Sequence, residues 1–226
     1  HPNGTYESRT YEGANGKAVL TYSSRPLGQG IKTRTLVPDT NLVASQTDFN
    51  DVVTTTTWNT TRELPLTTVR ASSRPEAQTT VFTWHPQWSL PTLVTTSGQN
   101  TSNTHQYTYD TKGNMLTHVW TSSLSPTPIT TSATYQANSL MATETDAMGV
   151  VTQYTYDAAG NKATELRAGK TTQYTHDASG NMLTMTDPAG VITTMTYTPG
   201  GKPLSVASGN LSTQWTYNAI GLPHTE

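Results

Sequence analysis

Six histidines are the residues of this sequence best suited to metal binding or proton transfer. They stand at positions 1, 85, 105, 118, 176 and 224. None forms a His-x-x-x-His pair and the chain has no cysteine, so the ligand spacing of zinc sites is missing. Asp157 with Asn161 invites comparison with a calcium loop. Neither the EF-hand spacing nor the Gly-Gly-x-Gly-x-Asp repeat accompanies them. Gly28-Gln29-Gly30 lacks the third glycine and the following helix of a nucleotide fingerprint. There is no GxSxG elbow and no HExxH. With no nucleophile–base pair and no metal constellation, the chain reads as non-enzymatic, with no cofactor and no metal.

Composition narrows the classes further. The chain has 226 residues, 12% of them charged, with a net charge of −2. Nucleic-acid binding needs clustered Lys and Arg, which are absent here. No apolar run approaches the length of a transmembrane helix. The chain starts at His1 rather than methionine, and the expectation is a segment processed or excised from something longer. Threonine is the strong bias, with 48 copies. It is β-branched, stiff at χ1, and suits a pleated surface with one wet face. No stretch holds a helical apolar period for three turns.

The elements that position these residues emerge from an internal repeat. Gln153-Tyr154-Thr155-Tyr156-Asp157-Ala158-Ala159-Gly160-Asn161 returns twenty positions later as Gln173-Tyr174-Thr175-His176-Asp177-Ala178-Ser179-Gly180-Asn181. The aromatic-Thr-aromatic column continues forward as Met195 and Tyr197, then Trp215 and Tyr217. Backward it runs through Ala133 and Tyr135, Tyr107 and Tyr109, Phe82 and Trp84, and Thr56 and Trp58. Twelve of the 18 aromatics fall on these columns, and the middle residue is threonine every time. Self-similarity at a fixed period marks a repeat architecture.

Each unit has a physical reading. In Tyr-Thr-Tyr the rings point to one face of a strand and the threonine to the other. Asp157-x-x-Gly160 fits a type I turn, with Asp157 accepting a hydrogen bond from the N–H two residues on. Gly160 takes positive φ in a G1-type bulge, a region that Asn161 also tolerates. The chain reverses into residues 162–166, turns at Ala168-Gly169-Lys170, and starts the next aromatic strand. One period is one β-hairpin. The expected fold is all-β: sequential antiparallel hairpins of about 20–26 residues in one continuous sheet that curls as it twists, its closure left open by the residues alone. Residues 1–45 are expected to be an irregular, weakly repeat-like β segment, and residues 46–226 the hairpin array, with no firm boundary.

These residues resemble the YD-repeat or RHS-repeat family. Its signature is Tyr-Asp, two variable residues, then Gly-Asn or Gly-Arg. Full copies are Tyr109-Asp110 with Gly113-Asn114, Tyr156-Asp157 with Gly160-Asn161, and His176-Asp177 with Gly180-Asn181. Looser copies are Tyr197 with Gly201, and Tyr217 with Gly221. The phrase from Trp84 to Pro91 is similar to one found between such repeats in bacterial members. The resemblance implies a curved, spiralling sheet that encloses a hollow shell, in bacterial toxins around a C-terminal effector domain; such shells take many more repeats than the eight columns here, so the resemblance implies an open arc of a wall. Asp187-Pro188-Ala189-Gly190-Val191 is similar to the family's self-cleavage motif, but the Gly and Asn that follow in the family are missing. It reads as a repeat turn.

Two functions compete. In the first, the chain is a structural wall segment of an RHS shell in a larger secreted or cell-surface bacterial protein. Its partners are neighbouring repeats, an enclosed toxin domain, and secretion or toxin-complex components. In the second, a row of exposed aromatics binds carbohydrate or a receptor. Exposure of Tyr154, Tyr174 and Trp215 is the discriminator.

Overall fold

The computed structural model describes residues 9–12, 19–24, 31–48, 50–72, 74–218 and 220–223. His1, His224 and the Gly28-Gln29-Gly30 stretch lie outside the described residues. The chain divides into two compact units, His1–Thr130 and Thr131–Glu226. Among the described residues, both contain only strands, bridges, turns and bends.

The first unit holds β1 (Arg9–Glu12), β2 (Val19–Ser24), β3 (Ile31–Leu36), β4 (Val43–Thr47), β5 (Val53–Asn59), β6 (Leu64–Arg70), β7 (Gln78–Trp84), β8 (Pro91–Gly98), β9 (Thr101–Tyr109) and β10 (Met115–Ser122). From β1 to β9, each pairs antiparallel with the next in sequence. β11 (Ser125–Tyr135) spans the boundary. The second unit continues with β12 (Met141–Thr145), β13 (Val151–Tyr156), β14 (Lys162–Arg167), β15 (Lys170–His176), β16 (Met182–Thr186), β17 (Ile192–Tyr197), β18 (Pro203–Ser208) and β19 (Leu211–Gln214). Here too every strand pairs antiparallel with its successor, starting from β11. The architecture is an all-β array of sequential hairpins in an open sheet, as the repeat predicted. Among the described residues, no residue pairing joins the ends of either unit into a barrel.

The repeat period is visible in the register. Pairing slips by one residue between Thr57 and Trp58, Thr83 and Trp84, Thr134 and Tyr135, Thr155 and Tyr156, Thr175 and His176, and Thr196 and Tyr197. A bulge therefore sits at the second position of these six columns. The other ends of the hairpins close differently. Ala168 and Gly169, at φ 49° and 75°, form a two-residue loop between Arg167 and Lys170. Positive φ at both positions is the type I′ turn that matches strand twist.

Neither unit has a dry core. Among the described residues only Ala71 and Thr152 are buried, at 6% and 2% exposure, and Thr152 is polar. In all eight columns the outer pair is half-buried and the middle threonine is exposed. The alternation confirms the assignment of faces, yet the rings cover only part of their surface. Ladders, turns and cross-strand pairs therefore hold the array together, with burial in a smaller role.

Candidate functional site: the repeat turn and the aromatic clasp

The Tyr-Asp turn is the first recurring unit. The Gly160 N–H donates to the Asp157 carbonyl at 3.0 Å, and the Asp157 N–H donates to the Asn161 carbonyl at 2.9 Å. Asp157 Oδ1 accepts from the N–H groups of Ala159 and Asn161 at 2.9 and 2.8 Å. Asp110 and Asp177 accept the same two backbone bonds, from Lys112 and Asn114 and from Ser179 and Asn181. Gly113, Gly160, Gly180, Gly201 and Gly221 all have positive φ, between 76° and 88°. A Cβ at such a φ is strained, which explains the glycine column.

Asparagine in the signature has a different role from the one its backbone tolerance suggested. Asn114, Asn161 and Asn181 are not at positive φ. Their side-chain Nδ2 groups donate to Oδ2 of Asp110, Asp157 and Asp177 at 2.8, 3.0 and 2.8 Å. Each aspartate thus accepts three hydrogen bonds. The asparagine amide, followed by backbone N–H groups, holds all three carboxyls below the usual carboxylate range. Asn161 Oδ1 also lies 3.2 Å from where a Cβ on Gly180 would stand, so one turn packs on the next. Asp187 keeps the backbone part of this turn, accepting from Ala189 and Val191 at 2.8 and 2.9 Å. Residues 187–191 form a repeat turn, as read from the sequence.

The second unit is a clasp that sequence reasoning missed. The Tyr156 hydroxyl donates to the Met141 carbonyl at 2.8 Å. Tyr109 reaches Pro91, Tyr197 reaches Met182 and Tyr217 reaches Pro203 in the same way, at 2.7, 2.9 and 2.7 Å. At the two earliest columns the donor is an indole. Trp58 Nε1 donates to Val43 and Trp84 Nε1 to Pro65, at 2.9 and 2.6 Å. The register explains the need. Pairing between β12 and β13 stops at Thr143 with Gln153, two residues short of Met141. Pairing stops at Ser45, Thr67, Leu93, Thr184 and Ser205 in the other five cases, each also two residues short of the capped carbonyl. Where the ladder ends, the carbonyl has no strand donor opposite it, and the ring's polar tip takes that place. Tyrosine and tryptophan both carry a donor and phenylalanine does not. The signal was present in the sequence as the exclusive use of Tyr, Trp or His at the second position. His176 makes no such bond among the described contacts.

The first-position rings are placed differently. Tyr154 donates to Glu144 at 3.2 Å, and the Lys162 ammonium lies 5.7 Å from the Tyr154 ring and 4.5 Å from the Tyr174 ring. Lys162 also pairs with Glu165 at 2.7 Å. Tyr107 joins a group of near-parallel rings in β9 and β10, and Phe82 stacks with Trp84. Tyr135 and Trp215 sit half-buried at their columns. Tyr154, Tyr174 and Trp215 are therefore neither sealed in nor an open row. On the opposite face, threonine hydroxyls pair across each hairpin: Thr108 with Thr117, Thr134 with Thr143, Thr155 with Thr164, and Thr175 with Thr184, all within 2.7 Å. Among the described residues, no group of three His, Asp or Glu side chains is placed to hold a metal. No described helix is long and apolar enough to cross a membrane.

The geometry has close counterparts among known proteins. The RHS Repeat family profile matches residues 135–168 and 162–192. No curated protein matches the chain. Among solved structures, the crystal structure of TcdB2-TccC3-Cdc42 superimposes with a TM-score of 0.72 at 13% identity, over 98% of this chain and 12% of that one. TcdB2-TccC3 without its hypervariable C-terminal region gives 0.70 at 14%, over 90% and 12%. A Tc holotoxin pore of Photorhabdus luminescens gives 0.69 at 13%, over 91% and 11%. The chain thus spans about an eighth of the length of the chains it matches, and at these identities the likeness is one of fold. The profile matches the stretch from Tyr135 through the second and third full copies, at Tyr156-Asp157 and His176-Asp177, and bulge, glycine turn and clasp recur on either side of it. Residues 135–192 thus carry the RHS Repeat match, and the chain as a whole shares the fold of these structures.

Proposed function

We propose that this chain is a wall segment of an RHS shell enclosing a C-terminal toxin or effector domain within a larger exported bacterial protein. The observation that carries this reading is the absence, among the described residues, of a dry core in a regular sheet. Two buried residues do not make an independent globular domain, but they suit a layer covered by more of the same wall and by its contents. The fold shared with TcdB2-TccC3 structures supports the same conclusion. In this reading the segment carries out no catalysis. Residues 46–226 are the hairpin array, and residues 1–45 join it without a firm boundary. Its partners are the neighbouring repeats, the enclosed domain and toxin-complex components, and the whole protein is secreted. The carbohydrate reading required an open aromatic row. The half-buried rings, with Lys162 over two of them, give it no support of its own.

Limited proteolysis of the complete protein that contains this segment tests the proposal. The C-terminal domain should survive protease that digests the same domain expressed alone. Equal digestion rates in the two settings would overturn enclosure.

A further inference from the structure

We propose that His105 and His118 form a one-proton clasp across β9 and β10, and that protonating both rings below about pH 6 loosens this hairpin. His105 Nδ1 lies 2.9 Å from His118 Nε2. The ring centroids are 5.2 Å apart and the planes differ by 9°. Two ring radii plus one hydrogen bond account for that separation. The imidazoles therefore lie end to end in one plane and point a nitrogen at each other. His105 stands opposite Trp120 and His118 opposite Tyr107, so the pair is diagonal across the ladder. Trp120 and Tyr107 continue the set, with planes 15° from His105 and 8° from His118.

An N–H···N bond needs one donor and one acceptor. Two neutral rings satisfy it, and so does a pair carrying one extra proton. A second extra proton turns both nitrogens into donors and sets two like charges against each other. Nothing nearby offsets them. From β7 to residue 130 the charged residues are Asp110 and Lys112, both in the β9–β10 turn, where Asp110 already accepts from Lys112 and Asn114. β8 contributes Val94 opposite His105 and has no ionisable side chain; neither does β7, nor β11 up to residue 130. The remaining titratable neighbours are Tyr107 and Tyr109 on β9, and His85, which stacks on Trp88 and meets Tyr109 edge-on. None of these supplies a negative charge at mildly acid pH. Burial, then the adjacent His105, also holds His118 below the ordinary imidazole value.

The sign follows from linkage. The unfolded chain takes up protons near the ordinary value of about 6.5, while the folded pair resists its second proton. Stability is complete above that value and falls as pH drops below it. The wall thus carries an acid-sensitive seam at one hairpin, whatever the shell contains.

Imidazole nitrogen shifts and amide exchange of this segment, isotopically labelled within the complete protein and followed from neutral to acid pH, test this. The two rings should titrate in two macroscopic steps more than about one pH unit apart. Protection of β9–β10 amides, corrected for intrinsic exchange, should fall about tenfold across the second step, the equivalent of one unit of pKa shift. Amides of β17–β18 serve as the reference and should not respond. In His118→Gln, His105 should titrate in a single step and the acid-dependent loss should vanish. If that variant does not fold, the wild-type titration decides alone. A single step for both rings near about 6.5, or a fall in protection no larger than in β17–β18, overturns the proposal.

Discussion

Replacing Tyr156 with phenylalanine removes one oxygen and leaves the ring in place. The lost contact is the 2.8 Å bond to the Met141 carbonyl, which the ladder has already abandoned two residues earlier. A typical net hydrogen bond contributes about 1 kcal/mol, and a fully buried orphan acceptor would cost up to about 3 kcal/mol. Tyr156 is half-buried, so water partly replaces the lost donor and the low figure applies. At 25 °C about 1 kcal/mol is roughly a fivefold change in a local opening equilibrium. Native-state hydrogen exchange reads that quantity strand by strand. Protection in β12 and β13 should fall roughly fivefold, while β17 and β18 change little because each hairpin touches mainly its neighbours. Tyr154→Phe is the control. Its hydroxyl makes a 3.2 Å bond to Glu144 at an exposed site, so its effect should stay within about 0.5 kcal/mol. If Tyr156→Phe leaves protection unchanged, or if Tyr154→Phe costs as much, the clasp does not hold the ladder break.

Three further outcomes are expected. Gly160→Val should destabilise the second unit by more than about 1–2 kcal/mol in thermal unfolding, because φ is +88°; the nearest atom to the new Cβ would be Leu140 Cδ1 at 3.7 Å, so the cost is conformational rather than steric. Stability should fall in acid as the Tyr-Asp turns titrate. Asp110, Asp157 and Asp177 have folded values below the unfolded one, so their contribution is present above about pH 4 and disappears as pH drops through the folded values; carboxyl carbon shifts should show Asp157 moving back toward the ordinary value in Asn161→Ala. Thr152→Val should cost about 1 kcal/mol by denaturant titration: the hydroxyl accepts from Arg167 at 3.0 Å at the most buried side chain, but Arg167 is itself 48% exposed.

Much of the fold was legible because its rules are local. Asp157 and Gly160 are three residues apart, and an Asx turn with a positive-φ glycine depends on nothing beyond them. The alternation of ring and threonine states which side chains share a face, since strand periodicity is two. Repetition turned these weak signals into a hairpin array. Other features join residues far apart in sequence. Tyr156 and Met141 are 15 positions apart, and Arg62 reaches the carbonyls of His85 and Trp88, 23 and 26 positions on. Asn161 looked like a residue tolerant of an unusual backbone, whereas its amide clamps Asp157; both uses suit the same side chain, and geometry chose between them.

The sequence by itself determined the repeating hairpin, its bulge and its turn, because φ preference and side-chain alternation are properties of single residues and their immediate neighbours. Only the tertiary structure decided how far pairing runs along each strand. That limit sets which carbonyls are left open and therefore what the polar tips of Tyr and Trp are for. It also decided that His105 and His118, 13 residues apart, meet head to head with no carboxylate beside them. Such pairings depend on register, and register is a relation between strands that no single strand encodes.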